Sequence, residues 1–284
     1  MEKIKITCDS TCDLTPALYE QYGVSVMPLG VSLGDTLYKD GVDVSAKQVF
    51  DFVENTGLLP KTSAVSVGEY EEFFKKYVSD GYTVIHINIS SNFSSCHQNA
   101  RIAAAECERV FPFDSKSLST GSGLLVLAAC ELVQKGLSSD EILKELEVLR
   151  EKLDVSFVLQ TLDYLKKGGR CSGVVALGAN LLKLRHEIEV VDGGMKVGKK
   201  YRGKAEISVH DYVEGRLKGR TDLQHHRIFV THSHAPKEVV EQTIRQVKEL
   251  QPFLEVLETV AGCTVSSHCG PCCLGVLFFR KKED

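Results

Sequence analysis

The fold is most legible at Tyr82-Thr83-Val84-Ile85-His86-Ile87-Asn88-Ile89, which runs straight into Ser90-Ser91-Asn92-Phe93-Ser94-Ser95. The first segment is a near-continuous apolar run of strand length, the pattern of a strand covered on both faces inside a parallel sheet. The polar loop after it leads into a helical pattern over 98–108. Strand, polar loop and helix make half of a βαβ unit, and the flanking sequence repeats the alternation. Upstream, 3–8 reads as a strand, and Thr15-Pro16 supplies an N-cap with proline at the first helical position. That helix stops near Gly23, and 24–29 resumes as a strand. Ser45-Ala46-Lys47-Gln48 and Ser66-Val67-Gly68-Glu69 have capping-box spacing before helices over 49–55 and 70–79. Downstream come a strand at 110–113, a strongly apolar helix over 123–134, a helix capped at Ser138 that runs to about Lys152, and a strand at 155–160. Right-handed crossovers then gather the loops after the strands at one sheet edge, where ligands bind.

The second half changes character after Gly168-Gly169-Arg170, which ends a helix carrying Lys166 and Lys167. Segments 187–191 and 195–201 flank Asp192-Gly193-Gly194 as a hairpin. A strand at 227–231 precedes a long helix from Ala235-Pro236 to about Gln251, and strands follow at 254–260 and 274–279. The expected fold class is α/β with two domains: an N-terminal parallel-sheet βαβ domain over 1–160 and a C-terminal α+β domain over 161–284.

The chain of 284 residues is long enough for a large core. Its formal net charge of -4 and the lack of a long Lys/Arg block give no footprint for nucleic acid. The opening Met1-Glu2-Lys3-Ile4-Lys5 lacks the apolar core of a signal peptide, and no apolar run is long enough for a transmembrane segment. Ten cysteines without export features fit a cytoplasmic protein with reduced thiols, most of them small core residues.

His268-Cys269-Gly270-Pro271-Cys272 spells a thioredoxin-type pair and raises a thiol oxidoreductase using Cys269 and Cys272. Such a pair sits early in its fold, whereas here only 273–284 follow. Metal binding by His232, His234, Cys263, His268, Cys269, Cys272 and Cys273 lacks a second Cys-x-x-Cys pair to complete four ligands. A serine nucleophile with His268 as its base lacks a Gly-x-Ser-x-Gly elbow and an identifiable third member. No catalytic residue is therefore assigned, nor any cofactor or metal. Hydroxyl clusters at strand ends suit a different chemistry. Thr62-Ser63 and the Ser90–Ser95 loop offer hydroxyl and backbone donors to a carboxylate or phosphate, unless Ser94 or Ser95 simply caps the next helix. Arg170, just beyond two helix-ending glycines, places a guanidinium near the domain junction that suits the same anions.

Read in order, these segments resemble the DegV family of bacterial fatty-acid-binding proteins. The resemblance is carried by Cys8-Asp9-Ser10-Thr11 with Asp13-Leu14, Met27-Pro28-Leu29, Tyr38-Lys39-Asp40-Gly41-Val42-Asp43, Thr62-Ser63 with Gly68-Glu69-Tyr70, the Ser90-Ser91-x-Phe93-Ser94 loop with Gln98 and Ala100, Phe113-Asp114-Ser115, Thr161 through Arg170, and His268-x-Gly270-Pro271. It implies a lipid site between two α/β domains that holds one long-chain fatty acid and performs no chemistry itself. By the same resemblance Thr62, Ser94 and His268 bind the carboxylate, with Ser63 and Gly270 adjacent. Arg170 lies near the mouth and works with a partner fatty acid kinase, whose acyl phosphate product enters phospholipid synthesis. Two places depart from the family pattern. Ser94-Ser95-Cys96-His97 stands where Ser-Gly-Thr-Tyr is usual, and Cys272 replaces the glycine that closes His-x-Gly-Pro-Gly.

Overall fold

A computed structural model describes residues 2–171 and 184–281. Its strands are β1 (Ile4–Asp9), β2 (Ser25–Met27), β3 (Gly30–Leu33), β4 (Thr36–Lys39), β5 (Lys61–Ser63), β6 (Thr83–Asn88), β7 (Val110–Asp114), β8 (Leu153–Leu159), β9 (Leu184–Val191), β10 (Gly194–Arg202), β11 (Leu223–Ser233), β12 (Glu255–Val260) and β13 (Cys273–Arg280). The α-helices are α1 (Pro16–Gln21), α2 (Ala46–Thr56), α3 (Val67–Ser79), α4 (Cys96–Ala105), α5 (Ser119–Gln134), α6 (Ser139–Arg150), α7 (Asp163–Gly168), α8 (Ala205–Leu217), α9 (Lys237–Leu250) and α10 (Cys263–Cys269).

Among the described residues these strands form three sheets. The apolar run at Tyr82 does become the buried strand β6, and every one of its residues is buried. It lies inside a four-stranded, wholly parallel sheet of order β2-β1-β6-β7. Helices α2, α3 and α6 each start with the capping box that their Ser-x-x-Gln/Glu spacing dictates. Thr15 caps α1 by accepting from the Leu18 N–H.

The second sheet has six strands in the order β10-β9-β8-β13-β11-β12, antiparallel throughout except for β11 with β12. The hairpin β9–β10 forms where Asp192-Gly193 predicts it. Strand β8, which a division at residue 160 leaves with the N-terminal unit, belongs to this second sheet. It pairs antiparallel with both β13 and β9, so the chain has already entered the second sheet at Leu153. A small antiparallel sheet β4-β3-β5 lies outside both and carries Thr62 and Ser63.

Helix α5 joins the two large sheets. Leu124, Leu125, Leu127 and Ala129 are buried in one cluster that takes Ile6, Ile85 and Ile87 from the parallel sheet and Val155, Phe229 and Leu277 from the six-stranded one. A helix that is apolar all round requires this double cover. The other face of the six-stranded sheet is closed by α8 and α9, through Val209, Tyr212, Val213, Val239, Val240 and Val247.

Candidate functional site

A cavity lies between the two large sheets. Side-chain alternation builds its floor. Cys273, Gly275 and Leu277 of β13 line it, while Leu274, Val276 and Phe278 between them point into the core under α8 and α9. Phe157 of β8 continues the floor, and Leu29, Ile89, Phe93 and Leu118 close the cavity from the parallel-sheet side. The walls are mostly apolar carbon, the right environment for a hydrocarbon chain.

One end is polar. Thr62, Ser63, Ser94, Arg170 and His268 all line this single cavity, although they come from four separate places in the sequence. The Thr62 hydroxyl lies 2.8 Å from His268 Nε2, a hydrogen bond whose donor depends on the imidazole tautomer. The other ring nitrogen, Nδ1, is buried without a partner. Burial, with the Arg170 guanidinium nearby, pulls the His268 imidazole down from 6.5 to about 4. At neutral pH it is therefore uncharged, one nitrogen an N–H donor and the other an acceptor. Gly168 is fitted to this ring: a Cβ there would stand 2.4 Å from Nδ1.

His268 sits on a helix, not on the turn that His-x-Gly-Pro suggests. It occupies the last turn of α10, and the turn follows it. Gly270 does not line the cavity; its contribution is made through the backbone. Its φ of +74° favours glycine, and a Cβ there would lie 2.6 Å from the Tyr164 ring. Helix α10 is held at its start by carboxyl groups from the far end of the chain. Asp40 accepts from the Cys263 N–H at 2.7 Å and the Thr264 N–H at 3.0 Å, and Asp13 accepts from the Gly262 N–H at 2.8 Å. Burial pushes the Asp13 carboxyl up to about 8, although its bonds from Ser119 and Gly262 pull the other way.

The loop bearing Ser94 is anchored from below. Asp9, at the end of β1, accepts from Tyr70 Oη (2.6 Å), Asn88 Nδ2 (3.2 Å) and the Ile89 N–H (3.0 Å), and lies 3.1 Å from His86 Nε2. The end of β6 is thus fixed just before the loop leaves the sheet. Ser94 Oγ accepts from the Cys96 N–H at 3.3 Å, so the local-capping reading holds in part; Ser95 occupies the N-cap position of α4 but makes no side-chain cap. Arg170 is exposed at the cavity edge, with Nε donating to the Phe93 carbonyl (3.5 Å) and Nη1 to the Gly168 carbonyl (2.7 Å).

The Cys-Gly-Pro-Cys letters do not make a redox centre in this geometry. Cys269 is buried at the C-terminal end of α10, whereas a helix lowers a thiol pKa at its N-terminal end. Burial raises the Cys272 thiol, opposite to an activated thiolate. Nor do the His and Cys residues near it gather as ligands: among the described residues the one cluster of three potential metal ligands is His210, Asp211 and Glu214, which includes none of them. Sequence reasoning missed Leu29, Phe157, Met195 and Thr264 as lining residues. Strand alternation could have indicated Phe157, but nothing local marks the other three.

Fold and site define a two-domain α/β protein whose interdomain cavity is shaped for an amphiphile, with a polar end and apolar walls. The family model described as "Uncharacterised protein, DegV family" matches residues 3–281, and the chain belongs to the DegV family. A DegV domain-containing protein of Clostridium acetobutylicum is 35% identical over 99% of this chain and 100% of its own length. Another, from Clostridium perfringens, is 33% identical over 95% of this chain and 96% of its own. Among solved structures, one titled as fatty acid binding of a DegV family protein from Thermus thermophilus has a TM-score of 0.88 and 30% identity, covering 98% of this chain and 99% of that one. A stearic-acid-binding protein from Eubacterium ventriosum has a TM-score of 0.85 and 26% identity over 98% of each chain.

Proposed function

We propose that this chain is a cytoplasmic carrier that binds one long-chain fatty acid and presents its carboxylate to a fatty acid kinase, which makes the acyl phosphate used in phospholipid synthesis. The observation that carries the reading is the convergence of Thr62, Ser94 and His268 at one end of an apolar interdomain cavity. The fatty acid binding described for the Thermus thermophilus and Eubacterium ventriosum relatives supports it.

The energetics divide between the two ends. Each methylene moved out of water contributes about 0.8 kcal/mol, so the tail supplies most of the affinity. The head group sets register, because a carboxylate taken from water must regain hydrogen bonds from its surroundings. Thr62 and Ser94 offer O–H donors, and His268 offers an N–H from Nε2 in the tautomer that protonates that atom. Ser63 lies beside Thr62, and Gly270 lets the chain turn away immediately after α10. A carboxylate here would draw the imidazole pKa back upward, and charge on the ring would strengthen the contact. In this reading Arg170, at the exposed edge, meets the phosphoryl group that the partner brings. The carrier needs no nucleophile or oxyanion hole, since the kinase performs the reaction.

The kinase-facing half is tested by loading wild type and Arg170→Ala with labelled oleate and adding fatty acid kinase and ATP. Retention of oleate should match, while phosphorylation by the variant should fall about tenfold or more. Equal losses of binding and phosphorylation would assign Arg170 to the lipid site alone.

A further inference from the structure

The cavity has a second polar corner. Thr264 lies four residues before His268 on α10, so their side chains share one helix face, roughly 6 Å apart along the axis. Both residues line the cavity. Thr264 is 5% exposed, and its hydroxyl has no hydrogen-bond partner.

Other hydroxyls line the same cavity. Asp13 accepts from the Gly262 N–H with one carboxyl oxygen and from Ser119 Oγ (2.5 Å) with the other, which holds Ser119 against the start of α10. The Ala261 N–H donates to the His232 carbonyl at 2.9 Å, bringing the adjacent Thr231 of β11 to the same place. Ser119 and Thr231 line the cavity as Thr264 does. Thr231 is the middle of a buried chain, 2.5 Å from the Thr120 hydroxyl and 2.8 Å from that of Thr259. Three hydroxyls carry three protons and the two bonds among them use two; the third lies on Thr231, the member that lines the cavity, when Thr231 accepts from both neighbours.

A plain hydrocarbon tail has nothing to give these groups. Packed against Thr264 it would keep a buried hydroxyl unpaired, where valine would fill the same space at no such cost. A hydroxyl on the ligand both donates and accepts, so it could satisfy Thr264 and also meet the Thr231 chain. We infer that the cavity selects a fatty acid hydroxylated part-way along its chain, with Thr264 as the specificity-determining residue. The inference rests on the fatty-acid reading above and names the substrate class within it.

The test compares binding of octadecanoic acid with hydroxyoctadecanoic acids whose hydroxyl is placed at successive positions along the carboxyl half of the chain. Wild type should bind one positional isomer about tenfold or more tighter than the unsubstituted acid. Thr264→Val, folded by its thermal transition, should bind the unsubstituted acid at least as tightly as wild type does and that isomer about tenfold more weakly. Equal binding of every acid by wild type, or a preference that survives in Thr264→Val, overturns the inference while leaving the fatty-acid reading intact. If neither kind of acid binds, both fall together.

Discussion

Asp9 and His268 are both polar groups set among apolar side chains, and hydrogen bonding treats them in opposite ways. Asp9 is fully buried and surrounded by donors from Tyr70, Asn88 and the Ile89 backbone, with His86 alongside. His268 has one partner, Thr62, and a buried nitrogen without any. A completed buried network fixes a scaffold, whereas the Thr62 hydroxyl, with one bond to the imidazole in the cavity wall, has capacity left for a ligand. The first holds the strand end from which the Ser94 loop departs; the second faces the space that the loop encloses.

Breaking Asp9 should therefore have the largest effect on the fold. Asp9→Ala strands several buried donors at once and should lower the unfolding free energy by about 3–5 kcal/mol in denaturant titration. A loss below about 1 kcal/mol would dissolve the contrast with His268.

Asp13 stands between the two extremes, a buried carboxyl with two donors. Its folded value of about 8 lies above its ordinary 3.8, so the folded chain keeps a proton that the unfolded chain has released. That contribution is complete below the ordinary value and is lost as pH rises through about 8. The slope is on the order of 1 kcal/mol per pH unit for one such group. Asp13→Asn should flatten this part of the pH–stability profile; an unchanged slope would show that Asp13 is not its source.

His268→Ala should do the reverse of Asp9→Ala, costing about 1 kcal/mol or less in stability while weakening fatty acid retention about tenfold. Ser94→Ala should act in the same direction and more weakly, because its O–H already has a partner in Cys96 Sγ at 3.2 Å. Retention equal to wild type in both variants would place the head group elsewhere. The smallest change belongs to Cys272, a non-glycine residue at φ +57°. Cys272→Gly should stabilise the chain by about 1 kcal/mol without altering lipid retention.

The same contrast explains what the sequence made legible. Local signals were read well: the capping boxes at Ser45, Ser66 and Ser138, the apolar run of β6, and the Asp192-Gly193 hairpin each carry their cause within a few residues. Helix α10 was missed because its cap is not local. The Asp13 carboxyl that takes the Gly262 N–H is 249 residues away in sequence, and Asp40 is 223 from Cys263. Helix α8 starts at Ala205 with no side-chain cap from Lys204, and β3, β4 and β5 are too short for alternation to show. The candidate head-group residues were found through a family resemblance. Their convergence on one cavity depends on the six-stranded sheet, whose pairing of β8 with β13 no local pattern encodes.

The central claim is that the polar end at Thr62, Ser94 and His268 belongs to a fatty acid whose tail fills the cavity behind it. Denaturing mass spectrometry of the purified protein tests it most directly. One long-chain fatty acid per chain in wild type, depleted in His268→Ala that unfolds like wild type, is the predicted result. Wild-type protein that carries no fatty acid and takes up none from added oleate or palmitate would contradict it.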